Sequence, residues 1–195
     1  ARMIGVQYLY QPENNGLHLG VGVFNANLTP PGNNSDQSFL YTLHTSYNLL
    51  NRNSLLAETG LSIAYRKLDN LTLPKIFDPT SLISGDDLRF GFETLLKIRK
   101  FEIQAEYLEA EINQQKAYGY YAYLNCNCSD KNQIIVAYDK FVDINRSTND
   151  APWLIAGYNH LFLDNKVKLM MDFRVQDIES TINYMFNMQG QIFFN

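Results

Sequence analysis

The chain has 195 residues, 46% of them hydrophobic and 18% charged. That length suits one domain with a real core, but no apolar run approaches the roughly 18–20 residues of a spanning helix. A net charge of −4 argues against nucleic acid as a partner, since phosphate binding needs a basic patch. An opening at Ala1, with no initiator Met and no signal peptide, is what a processed chain or a fragment would show.

Thirteen Tyr and twelve Phe stand against one Trp. Aromatic rings favour strands, and amphipathic rings suit membrane interfaces. Eleven strands are predicted, taken in chain order as Ile4–Gln11, Leu17–Asn27, Ser38–Leu50, Ser54–Leu68, Leu88–Lys100, Phe101–Asn113, Ala117–Asn125, Gln133–Ile144, Trp153–Leu163, Lys166–Asp177 and Asn183–Phe194. Most reach the 9–11 residues that a tilted strand needs to cross a hydrocarbon layer. Pro12, Pro30, Pro31, Pro74, Pro79 and Pro152 fall in the connections or at strand starts, where a missing N–H is tolerated.

The connections alternate in length. Pro12–Gly16, Asn51–Asn53, the Lys100-Phe101 junction, Cys126–Asn132 and Asp164-Asn165 are tight. Leu28–Gln37, Asp69–Asp87, Gln114–Lys116, Asn145–Pro152 and Ile178–Ile182 form the other set, with Gln114–Lys116 and Cys126–Asn132 fitting poorly. Outer-membrane barrels pair short periplasmic turns with longer external loops, which makes Asp69–Asp87 an external loop and puts Phe194 on the periplasmic side. Asp69–Asp87 is also the loop best placed for recognition, although it names no ligand. An odd strand count then conflicts with the even number of a complete bacterial barrel. The expectation is one all-β domain over 1–195, an antiparallel up-and-down transmembrane β-barrel in which either further strands precede Ala1 or the count is off by one.

Alternation carries that expectation. Leu88, Phe90, Phe92, Leu96 and Ile98 take one register, interrupted by Thr94; Arg89, Gly91, Glu93, Lys97 and Arg99 take the other, interrupted by Leu95. Val167, Leu169, Met171, Phe173 and Val175 oppose Lys166, Lys168, Asp172 and Arg174. Charge at bilayer depth costs about 2–4 kcal/mol for Arg or Lys, so the charged register is expected to face water inside the barrel. The expected pore-lining residues are Arg66, Arg89, Glu93, Lys97, Arg99, Glu102, Gln104, Glu106, Lys166, Lys168, Asp172 and Arg174. Both signs occur together, so pairing across strands and a weakly selective wall are expected.

Cys126 and Cys128 form an isolated C-x-C with no His nearby in sequence, and read as two ordinary thiols rather than a metal site. His18, His44 and His160 lie in no catalytic motif, and neither an enzyme nor a cofactor is expected. An outer-membrane enzyme, a non-conducting barrel serving secretion machinery and a soluble ligand-binding β-protein are the rival readings.

Between Tyr120 and Phe194, the runs Ile134-Ile-Val-Ala-Tyr-Asp-Lys-Phe, Trp153-Leu-Ile-Ala-Gly-Tyr-Asn-His-Leu-Phe, Asn165-Lys-Val-Lys-Leu and Gln189-Gly-Gln-Ile-Phe-Phe resemble the C-terminal strands of the phosphate-selective porin O/P family. Ala137 stands where that family carries an Arg before Tyr-Asp, and Asn195 follows the terminal aromatic. The resemblance implies the C-terminal part of a sixteen-stranded Gram-negative outer-membrane porin. Such a porin is often a homotrimer and passes small, anionic solutes passively through a water-filled channel. It implies that the constriction loop lies upstream of Ala1. It also implies an Arg ladder, to which Arg66, Arg89, Arg99 and Arg174 could contribute beside acidic Glu93, Glu102, Glu106 and Asp172. Tyr184, Phe186 and Phe194 would form the signal read by the barrel-assembly machinery, with outer-membrane lipid as the other partner.

Overall fold

The computed structural model describes residues 4–12, 16–25, 39–52, 54–71, 83–144, 151–162, 166–178 and 180–192. Period-2 alternation between turn residues folds these into eleven strands: β1 (Gly5–Tyr10), β2 (Leu17–Asn25), β3 (Phe39–Arg52), β4 (Leu55–Leu71), β5 (Ile83–Ile98), β6 (Phe101–Ile112), β7 (Gln115–Ser129), β8 (Asn132–Val142), β9 (Trp153–Phe162), β10 (Val167–Ile178) and β11 (Thr181–Ile192). No helix occurs among the described residues. Every strand pairs antiparallel with its sequence neighbour, giving one up-and-down sheet in the order β1 to β11.

The sheet is not closed. β1 and β11 are its two ends, and both faces of β1 are exposed, with Val6 at 79% and Leu9 at 67%. It is nevertheless strongly rolled. Gln7 on β1 and Phe141 on β8 line the same hollow of about 650 Å³. Flat, those strands would stand about 34 Å apart at the usual strand spacing, too far for a hollow of that size.

Two boundaries differ from expectation. β4 continues to Leu71 and β5 begins at Ile83, so both ends of the predicted Asp69–Asp87 loop are strand, while residues 72–82 lie outside the described residues. The polar run Ser84-Gly-Asp-Asp hid this, because it lacks the apolar register, yet Arg66↔Asp87 and Lys67↔Asp86 pair in the ladder. β7 likewise runs on through Cys126 and Cys128 to Ser129. The predicted length rule for connections holds only in part. Asn113-Gln114 is a two-residue turn on the end expected to carry the longer loops, and both residues have positive φ, 47° and 65°.

The polarity is inverted relative to a water-soluble protein. In β4 the outward Leu61 (43%) and Ile63 (41%) are exposed, whereas Gly60 and Arg66 on the opposite register are buried. Buried apolar residues among those described are confined to Leu68, Ile83, Ile112 and Val142, with Ile144 packed on the first three, all near one end of the sheet. On the outer face near that end, stacked pairs Tyr107–Tyr118 and Tyr120–Tyr138 separate an apolar band from the Glu109–Lys116–Glu111 ion pairs. Tyr158, His160 and Phe162 form a second aromatic group toward the opposite end.

Candidate functional site: the concave face

Cross-strand register decides which side chains share the concave face. The row Gln7, Gly22, Thr42, Ala64, Arg89, Ala110 and Ala117 crosses β1 to β7. The next row runs Leu9, Gly20, His44, Ser62, Gly91, Leu108, Gly119 and Phe141. Small residues fill most positions, so the wall carries little bulk there and the hollow opens. The larger side chains lie over neighbouring glycines: a Cβ on Gly91 would meet Leu108 at 3.1 Å, and one on Gly119 would meet Phe141 at 3.2 Å.

Nearer the end with the longer connections, Asp87 is 1% exposed and holds two guanidinium groups. Arg66 Nε donates to Oδ2 at 2.7 Å, and Arg89 donates through Nε and Nη2 to Oδ1 and Oδ2, each at 3.0 Å. Arg66 Nη2 is buried with no hydrogen-bond partner among the described residues. A carboxylate of that burial is tolerated because both oxygens accept charge-assisted hydrogen bonds.

Below the hollow the face becomes more polar. Lys97 Nζ sits 3.0 Å from Glu102, and Arg174 Nε donates to Asp172 at 2.6 Å. Asn187 also donates to Asp172. Gln104 donates to Tyr121, while Tyr123 donates to Gln104 at 2.6 Å with Glu102 Oε1 also within 3.2 Å of its hydroxyl. Glu93 and Glu106 stand directly opposite one another, a like-charge pair. Lys168, opposite Leu161 and Gln191, shares this face.

Most expected pore-lining residues therefore fall on one face and several pair across strands. Arg99 does not: with φ 51° it stands in the β5–β6 turn, because two residues suffice to reverse the chain there. Lys166 occupies the turn before β10. Both are rim positions. Tyr184 (64%) and Phe186 (65%) lie on the outer face of β11, while Phe194 lies outside the described residues.

Sequence reasoning missed Asp87, His44, Phe24, Leu108, Phe141, Tyr121 and Tyr123. Only the alternation could have flagged them, since their roles depend on strand register. His44 Nδ1 and Ser62 Oγ share a hydrogen bond at 2.9 Å, and His44 Nε2 is 3.8 Å from Glu93 Oε1. The second distance is too long for a hydrogen bond, so Glu93 does not fix the imidazole tautomer. Cys126 and Cys128 have their sulfurs 3.6 Å apart as free thiols.

No family model, no curated protein and no solved structure matches this chain.

Proposed function

We propose that the chain is wall from a Gram-negative outer-membrane porin, lining a water-filled channel for passive diffusion of small solutes. One observation carries the reading: the exposed register of the central strands is apolar and the sheltered register is polar. A water-soluble protein avoids exposed apolar patches beyond a few hundred Å², whereas a barrel in lipid has this sense of alternation. The tyrosine pairs between the apolar band and the charged Glu109–Lys116 rim support it, since aromatic girdles mark membrane interfaces.

The open edges add a requirement. Unpaired backbone groups at β1 and β11 cannot be left in hydrocarbon, so closure in a bilayer takes further strands. The resemblance to the phosphate-selective porin O/P family suggests five, completing sixteen, with homotrimers and delivery by the barrel-assembly machinery as its corollaries. Within this reading Tyr184 and Phe186 meet lipid and the assembly machinery, and the charges from Arg66 to Arg174 meet water. Acid–base pairing along the wall favours weak charge selectivity over a single-sign field.

Planar-bilayer recording tests the proposal. Stable conductance steps from the closed barrel are expected. Insertion without conductance would assign the wall to a structural or secretion-machinery barrel, and retention in the aqueous fraction without detergent would overturn the membrane reading.

A further inference from the structure

We propose that the hollow between β1 and β8 binds a small amphipathic carboxylate, with its anionic end at Arg89 and its apolar body against Phe24, Leu108 and Phe141. The inference names a solute class for the concave face described above. Its test does not depend on membrane insertion.

The hollow is unlike the rest of that face. Away from it, charged and amide side chains bonded across strands are interspersed with single apolar ones such as Leu95, Ile155 and Leu161. Around it stand alanines and glycines, roofed by three large apolar groups from β2, β6 and β8. Leu108 is 51% exposed and Phe141 62% exposed. Apolar surface is thus gathered and held open around one hollow, where an apolar ligand body gains from desolvation. A volume of about 650 Å³ falls within the usual range for small-molecule sites.

One edge supplies charge complementarity. Two guanidinium groups share one carboxylate, so the Arg66–Asp87–Arg89 group carries one unit of positive charge in excess. Asp87 is 1% exposed and Arg66 4%, so the hollow meets that excess through Arg89, whose side chain is 52% exposed. Arg89 Nε and Nη2 are engaged by Asp87, and Nη1 has no partner among the described residues. Asp87 thereby fixes the guanidinium in place and leaves the Nη1 amino group for a ligand. The Ser62 hydroxyl and the His44 ring lie on the same lining and can accept or donate to a second ligand oxygen. A plain inorganic anion would use Arg89 but leave the apolar half unfilled. A neutral apolar solute would leave Arg89 unanswered. A carboxylate on a short arylalkyl body satisfies both.

The test is isothermal titration of the full chain in detergent with 3-phenylpropionate, 3-phenylpropanol and inorganic phosphate, each corrected for uptake by protein-free micelles. The acid is expected to bind with a sub-millimolar dissociation constant and the alcohol at least tenfold more weakly, with no displacement of the acid by equimolar phosphate. Arg89→Gln should weaken the acid at least tenfold and leave the alcohol unchanged. Ala110→Trp, which fills the hollow, should abolish both. Equal binding of acid and alcohol would overturn the anionic end, and displacement by phosphate would overturn the apolar half. Absence of binding to the unmodified chain would overturn the site altogether. The acid–alcohol–phosphate comparison uses no variant, so a misfolded substitution leaves it decisive. Because insertion and conductance are read without any of these ligands, failure of the site and failure of the porin reading are separable.

Discussion

Arg66 and Asp87 face each other directly across β4 and β5, with 2.7 Å between Nε and Oδ2 and almost no solvent at either side chain. They are far apart in sequence, and only the ladder register brings them together. Asp87 also anchors Arg89, so one carboxylate balances two cations. Removing it would leave Arg66 buried and uncompensated. Breaking a buried pair in this way costs about 3–5 kcal/mol. Asp87→Asn should therefore lower the unfolding free energy by about that much in a urea titration of the detergent-solubilised chain. Arg89→Gln, which removes a half-exposed partner and leaves Arg66 in place, should cost about 1 kcal/mol or less. Equal losses for the two substitutions would contradict the assignment of Arg66–Asp87 as the buried pair.

Gly60 makes room for Glu93. A Cβ at Gly60 would sit 2.5 Å from Glu93 Oε1 and 2.8 Å from its Cγ. The side chain lies across the glycine and approaches His44 at 3.8 Å. Gly60→Val should push Glu93 aside, at a cost of about 1–3 kcal/mol from overpacking. The double substitution Gly60→Val with Glu93→Ala should recover most of that loss, since the clashing atoms are gone. A double-mutant cycle on thermal unfolding in detergent reads the coupling, and additive losses would rule out the contact.

The fold was legible because alternation is a local property. All eleven strands were placed from apolar residues at every second position, as in Val167 to Val175. Their ends were less legible where polar residues continue the ladder: Asp86 and Asp87 read as loop because strand membership there rests on pairing with Lys67 and Arg66. The inner face was legible as a class of residue, and Lys97–Glu102 pairs across β5 and β6 as the mixed signs suggested, whereas Asp172 and Arg174 pair within β10. The hollow was not legible. It exists because Gly22, Ala64, Ala110 and Ala117 fall in one row across non-adjacent segments, and no single segment contains that information.

The β6–β7 turn predicts a stabilising substitution. Asn113 and Gln114 both have positive φ, the arrangement of a two-residue hairpin in which Asn-Gly is the preferred pair. Asn suits its position, but Gln114 has a Cβ at φ 65°, which carries a steric penalty. Gln114→Gly should relieve it and raise the unfolding free energy by about 0.5–1 kcal/mol after the entropic cost of glycine. Gln114→Val should instead lower the apparent melting temperature, because a β-branched residue resists this conformation most. The order Gly above Gln above Val in melting temperature is the expected result, and a neutral glycine variant would show that the turn carries no strain.

Leu61 and Ser62 are sequence neighbours on opposite faces of β4, so the same substitution at each separates lipid from water. Leu61 stands 43% exposed on the outer register between Thr45 and Phe92, while Ser62 sits on the concave face opposite His44 and Gly91. If the outer register meets hydrocarbon, Leu61→Arg should cost about 2–4 kcal/mol, because the guanidinium must be held at depth in the bilayer. Ser62→Arg should cost much less, since its side chain extends into the wet interior beside the hollow. Were the outer face bathed in water, Leu61→Arg would behave as an ordinary surface change, within about 0.5 kcal/mol. Equilibrium unfolding in phospholipid vesicles gives the two values under identical conditions. A larger penalty at Leu61 than at Ser62 is the expected sign, and it should shrink when vesicles are replaced by short-chain detergent, whose thinner apolar shell lets the Arg side chain reach water.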